Sequence, residues 1–278
     1  VAFQGNHPTC HGIEAGGAFC LVSSDGLDGM RWACVAVLLT VASGWRPRLT
    51  ALPHAYISFS VFTGIAIGDG GDQMTTVLTL LLVLPALGDR RRWHWSTAGS
   101  EATQPRWVLM AGASSLVVVR LQMSFVYFQS SVSKLPHAEW ADGTGMWYWG
   151  NSLAFGASGW LHTLVGPVLD NPIGVAALTW VPLFIEISLA VTLLLPQRVR
   201  YMLLTAGVCF HLRIATMMGL WSFALAMWAG LLLLCLPLGG ELRARKPPAD
   251  YRASFQEERN KATVLDSEKP ASRASVTS

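Results

Sequence analysis

The chain has 278 residues, of which 52% are hydrophobic and only 13% charged, with a mean hydropathy of +0.40. A soluble domain carries about a quarter charged residues, so composition excludes that class and points to a chain held largely in lipid. The net charge of +3 gives no reason to invoke nucleic acid, because the basic residues are needed elsewhere, as their positions indicate.

Backbone polar groups in lipid must be paired within the chain, which leaves helices or a closed barrel. The apolar runs are continuous and rich in Leu, Val and Ala rather than alternating. The expected fold is therefore all-α, a polytopic transmembrane helical bundle. Residues 1–27 form a polar segment with Gly, Ser and Cys, not a basic-then-apolar leader. Cys10 and Cys20 fall in it; an oxidising compartment would let them pair, the alternative being two free thiols. Seven spans follow in a membrane domain of residues 28–238, at about 28–44, 52–68, 73–89, 107–133, 172–195, 201–217 and 220–237. Before the third span, Asp69-Gly70-Gly71-Asp72 makes an acidic glycine turn. Its carboxylates would hold a cation or a basic substrate, or the turn merely closes a tight hairpin. The stretch from Ala141 to Asp170, rich in Gly and aromatics, is expected to re-enter or to lie flat at the interface. Residues 239–278 are charged and Ser-rich, as in a disordered tail.

Loop charges set the orientation. Arg46, Arg48, Arg90, Arg91, Arg92, Arg106, Arg198, Arg200, Arg243, Arg245 and Lys246 fall in one set of loops. Glu14, Asp25, Asp28, Asp69, Asp72, Glu139, Asp142 and Asp170 fall in the other, with Arg31 and Lys134 its only basic residues. Loop Lys and Arg collect on the cytoplasmic side. The expectation is a multi-pass plasma-membrane protein with the N-terminal segment outside and the C-terminus cytoplasmic. Trp45, Trp93, Trp95 and Trp107 then sit at the inner interface, and Trp147, Tyr148 and Trp149 at the outer one, as aromatic belts do.

Ionisable groups within spans are costly and are functional hypotheses by default. Arg120, Glu186 and Arg213 lie within spans, with His211 two residues from Arg213. In the fourth span Arg120, Ser124, Tyr127, Ser131 and Lys134 share one helix face, and such a polar stripe must face protein or a water-filled cavity. Gln122 and Gln129 add polar groups on nearby faces. Depth places Arg120 and Glu186 near mid-membrane, so an Arg120–Glu186 ion pair is predicted, either as part of a site or as a lock between two helices. His211 is a site residue or a satisfied core histidine. Lys134, at the outer mouth, is a snorkelling interfacial lysine or a base. Desolvation disfavours the charged form of a lysine, and neutral lysine serves as a general base. No Cys/His spacing resembles a zinc site, and no metal is expected.

The run Tyr127-Phe128-Gln129-Ser130-Ser131-Val132-Ser133-Lys134-Leu135, with Trp140 and Gly143 after it, resembles the signature of the horizontally transferred transmembrane (HTTM) domain shared with vitamin K-dependent gamma-carboxylases. Gly44-Trp45-Arg46-Pro47-Arg48, Asp69-Gly70-Gly71-Asp72-Gln73 and Arg92-Trp93-His94-Trp95 look like the bacterial sporulation-delaying protein B (SdpB) branch. The resemblance covers roughly residues 9–238. Family members begin with an additional helix, so the resemblance implies that a sequence starting at Val1 has a truncated or misassigned start.

The resemblance implies that Lys134 occupies the position of the carboxylase lysine that deprotonates a reduced quinone on the lumenal side, and that His211, in a late span, matches the family's histidine and assists it; Tyr127, in the same motif as Lys134, is a further candidate catalytic residue. It also implies a role in maturing a secreted antimicrobial peptide from its precursor, beside a co-encoded partner protein. Three readings stand: a maturation component acting at an outward-facing site, a quinol-dependent carboxylase-like enzyme, and a transporter or immunity protein without covalent chemistry.

Overall fold

Asp69 and Asn171 each cap the start of a long helix, accepting from the backbone N–H groups that follow. In the computed structural model, which describes residues 10–64, 69–96, 105–152, 156 and 159–237, ten helices follow three short 3-10 turns at the start. They are α1 (Leu27–Ala42), α2 (Pro47–Gly64), α3 (Gly70–Gly88), α4 (Arg106–Val132), α5 (Ala138–Ala141), α6 (Gly145–Gly150), α7 (Gly159–Leu169), α8 (Pro172–Ala190), α9 (Gln197–Met218) and α10 (Trp221–Cys235). The described residues hold no strand beyond a single Trp45–Trp93 bridge. The predicted tail falls outside the described residues.

Each predicted span coincides with a helix. α2 starts five residues early because Pro47 fits a first helical position, where no N–H is needed. α8 stops at Ala190 and tightens into a 3-10 turn, Thr192–Leu194, ahead of Pro196. Four helices, α3, α4, α8 and α9, are long and apolar enough to cross a membrane by length and composition, and α10 is apolar but shorter. The distribution of polarity agrees. Trp32, Leu39, Leu80, Phe184, Met202 and Leu225 are exposed, whereas Ser60, Ser131, Thr179, Glu186 and His211 are buried. Such an apolar exterior around a polar interior is what lipid, not water, selects. The chain is a multi-pass helical membrane protein.

The core lies between α3, α4, α8 and α10, where Met74, Leu78, Val119, Met123, Leu189 and Leu231 interlock. α10 approaches α4 closely because Gly230 leaves room for the Met123 thioether, which a Cβ would strike. A second cluster of Phe19, Leu27, Cys34 and Ile57 packs the N-terminal turns onto α1 and α2. Here Ala18 N–H donates to Ser60 Oγ at 3.0 Å, and Tyr56 Oη–H to Gly16 O at 3.0 Å. Cys10 and Cys20 form a disulfide within this segment.

The stretch expected to re-enter or lie flat folds, where described, as three short helices, α5 to α7, with α6 and α7 packed on α8. Met146 N–H donates to Thr179 Oγ1 at 3.0 Å and Trp180 Nε1–H to Trp140 O at 3.1 Å. The first half of α8 therefore runs beside these short helices, beyond the end of α4. That offset controls the site.

Candidate functional site

Tyr127, Ser130 and Ser131 on α4, and Lys134 in the turn just past its end, fall at i, i+3, i+4 and i+7. Lys134 Nζ lies 2.6 Å from both Glu186 carboxylate oxygens and 3.2 Å from Ser130 Oγ. Ser130 Oγ–H donates to Glu186 Oε1 at 2.9 Å, and Ser131 Oγ lies 3.4 Å from Oε2. The Glu186 side chain is 4% exposed and that of Lys134 23%. Trp140 lies beside the ammonium, 5.2 Å from its ring centre. Two turns deeper, Tyr127 and His211, 1% and 2% exposed, meet Oη to Nε2 at 3.0 Å. Phe210 and Phe223 pack on the imidazole, and its buried Nδ1 has no hydrogen-bond partner among the described residues. Leaving such a group unmet costs about 1–3 kcal/mol.

These groups line one cavity of about 570 Å³, whose walls are mainly apolar. Gln122, Gln129 and Arg213 also face it. Arg213 touches the Met146 sulfur at 3.8 Å and the Phe210 ring at 5.8 Å, and has no carboxylate in ion-pair contact among the described residues. Since Glu186 is matched by Lys134, Arg213 leaves the cavity with a fixed positive charge suited to an anionic group.

One expectation is corrected. The predicted Arg120–Glu186 pair does not form: Arg120 donates to the Leu233 and Leu236 carbonyls at the end of α10, where Arg200 reaches Leu234 O and Gln197 reaches Cys235 O. The last carbonyls of a helix lack intrahelical partners, and a guanidinium also suits the negative end of the dipole. Depth counted along α8 missed the alternative because α5 and α6 sit over the end of α4. Glu186 lies seven residues, roughly 10 Å, beyond Thr179, which is level with Lys134 and not with Arg120. At the acidic turn, Asp69 and Asp72 cap α3. Asp69 Oδ1 accepts from Gly71 N–H at 2.8 Å and Asp72 N–H at 3.0 Å, while Asp69 N–H donates to Asp72 Oδ2 at 3.3 Å. This capping box gives the two carboxylates a role in starting the helix.

Lys134, Tyr127, His211, Gln122, Glu186 and Arg213 are thus brought together, with Ser131 on the carboxylate, whereas Arg120, Asp69, Asp72 and the Cys10–Cys20 disulfide lie elsewhere. Ser130 was passed over as a site residue, although its place one turn before Lys134 was the available signal.

Fold and site together define a class: a helical multi-pass membrane protein with a polar cluster closing one cavity. No protein-family model matches the chain, and no solved structure matches it. The chain is 37% identical over 220 residues to YitO of Bacillus subtilis (strain 168), described as uncharacterized, across 78% of this chain and 70% of that protein. It is 30% identical over 241 residues to the sporulation-delaying protein SdpB of the same organism, across 85% of this chain and 73% of that protein. The chain belongs to the SdpB family.

Breaking a buried ion pair on one side strands a charge and costs about 3 kcal/mol, whereas neutral replacement of both partners is close to neutral. Lys134→Met alone is therefore expected to lower the unfolding temperature in detergent markedly, and Lys134→Met/Glu186→Gln to restore most of it. Equal destabilisation by the single and double variants would contradict the pairing.

Proposed function

We propose that this chain is the membrane component of a sporulation-delaying-type system that matures a small secreted antimicrobial peptide, acting on its precursor beside a co-encoded partner protein. The observation that carries this reading is the convergence of an ion pair and a hydrogen-bonded Tyr–His pair on one largely apolar cavity, in a chain of the SdpB family. An amphipathic peptide fits such walls, with a carboxylate of the peptide at Arg213. Tyr127 and His211 share a proton across 3.0 Å, and His211 Nδ1 is open to a second hydrogen bond, which suits proton movement at a substrate atom. Lys134 acts as a base once its proton has passed to Glu186, 2.6 Å away.

The more specific form of this reading is an HTTM, carboxylase-like site. A reduced quinone, the cofactor implied by the resemblance, fits the cavity: its apolar walls suit the ring, and Lys134 and His211 offer polar contacts for ring oxygens. Bound there, a quinol would offer a hydroxyl proton that a neutral Lys134 takes up, the step the resemblance implies.

The reading includes a topology of seven crossings, with the N-terminal segment and Lys134 outside the plasma membrane and the arginine-rich loops inside. The arginine distribution supports it, as does a disulfide in the segment assigned to the outside.

Co-expression with the precursor and intact-mass measurement of the secreted peptide tests the chemistry. The wild type is expected to yield a mass-shifted mature species, and Lys134→Met/Glu186→Gln to yield none at equal membrane abundance. Identical peptide from both would contradict chemistry at this site. Unchanged mass with loss of export would replace it with transport, and a gain equal to carbon dioxide would make the activity a carboxylation.

For the topology, Ser24→Cys in a Cys209→Ser background is expected to react with an impermeant maleimide on intact cells. Arg90→Cys in that background should react only after permeabilisation. The reverse pattern would invert the orientation.

A further inference from the structure

At the end of the bundle away from Lys134, two loops from separate sequence motifs are tied into one unit. Arg46 N–H donates to Arg92 O and His94 N–H to Gly44 O, both at 2.8 Å, making the Trp45–Trp93 bridge. Trp95 Nε1–H donates to Ser43 O at 2.9 Å. Gly44 has φ 76°, and a Cβ there would stand 2.6 Å from Trp95 Nε1, so only glycine allows the crossing. Arg46 has φ 41°, an unfavourable conformation for a residue with a Cβ, which the surrounding bonds hold in place.

The tie creates a cleft of about 560 Å³ lined by Arg46, Arg48, Arg90, Arg91, Arg92 and Asp89. Asp89 is matched by Arg91, whose NH2 lies 2.6 Å from Oδ2 and whose Nε lies 2.9 Å from Oδ1. Burial pushes the Asp89 carboxyl up, but the Arg91 hydrogen bonds outweigh this and hold it below its ordinary value. The carboxylate thus cancels one guanidinium, and among the described residues no other carboxylate lines the cleft to answer the remaining four. Leu49 lines the cleft, and Leu52, one turn beyond Arg48 on α2, and Trp93, next to Arg92, are exposed, which gives its arginines an apolar Trp and Leu neighbourhood. A preference for positive loops explains how many arginines this end carries. It does not explain why two loops are hydrogen-bonded together so that five arginines face one volume.

We propose that this cleft binds the phosphate headgroup of an anionic phospholipid. Guanidinium forks match phosphate oxygens in bidentate pairs, and basic pockets between membrane helices are suited to such headgroups. A free phosphate would satisfy the same arginines, but the Trp and Leu neighbourhood offers a surface for acyl chains, which favours a lipid.

The full chain in neutral detergent would be titrated with phosphatidylglycerol, with phosphatidylcholine of the same acyl chains, and with inorganic phosphate, read by native mass spectrometry and thermal unfolding. Phosphatidylglycerol is expected to remain bound and raise the unfolding temperature, and phosphatidylcholine to do neither. Arg90→Gln/Arg92→Gln, or Arg48→Gln on the other loop, should weaken phosphatidylglycerol binding, by about tenfold or more for the pair. Arg106→Gln, outside the cleft, should bind as wild type does. The lipid-free unfolding temperature of each variant separates loss of binding from loss of fold. Equal retention of both lipids, or wild-type binding by the cleft variants, would overturn the proposal. So would displacement of phosphatidylglycerol by inorganic phosphate with the same thermal shift, which would make the cleft a free-anion site.

Discussion

Lys134 and Glu186 each carry a charge into a bundle whose outer surface is built from Leu, Phe and Trp, and neither is tolerable there alone. Their contact fixes the level of α8 against α4 and puts a satisfied carboxylate between two serines and an ammonium. The cavity beneath depends on it. With α4 held in that register, Tyr127 reaches His211 on α9, and Arg213, two residues further along α9, faces the same space without a carboxylate partner among the described residues.

The same rule acts at the opposite end. α10 stops ahead of Pro237, and its last carbonyls lie among apolar side chains. Arg120, Arg200 and Gln197 supply the missing donors. One cation at the middle of α4 and another just past its end thus serve opposite purposes. Arg120 satisfies backbone, whereas Lys134 meets a buried acid beside a cavity. Residue type alone does not distinguish them; the partner does.

The helical class, the seven longer helices and most of the polar cavity residues were legible because lipid imposes simple rules on sequence. Apolar runs must be helices, and polar residues on one face of α4 must point inward, which placed Tyr127, Ser131 and Lys134 together. His211 and Glu186 stood out because buried ionisable groups are rare. The error in pairing Arg120 with Glu186 came from counting depth along each span as if all started level. The short helices α5 and α6, invisible to hydropathy, displace the start of α8 beyond the end of α4. The acidic turn was also ambiguous by nature, since a capping box and a cation site use the same carboxylates at the same spacing. The joining of Gly44–Arg46 to Arg92–Trp95 was beyond sequence reach, because backbone hydrogen bonds between distant loops leave no periodic trace.

The most direct test of the Lys134–Glu186 contact is a charge exchange. Lys134→Glu and Glu186→Lys would each be made singly and then together, with unfolding temperature in detergent as the readout. Each single variant places two like charges in contact and is expected to unfold well below the wild type, while the exchanged pair should recover a large part of the loss. An exchanged pair no more stable than the singles would mean that the two side chains do not meet, and the cavity described here would lose its organising contact.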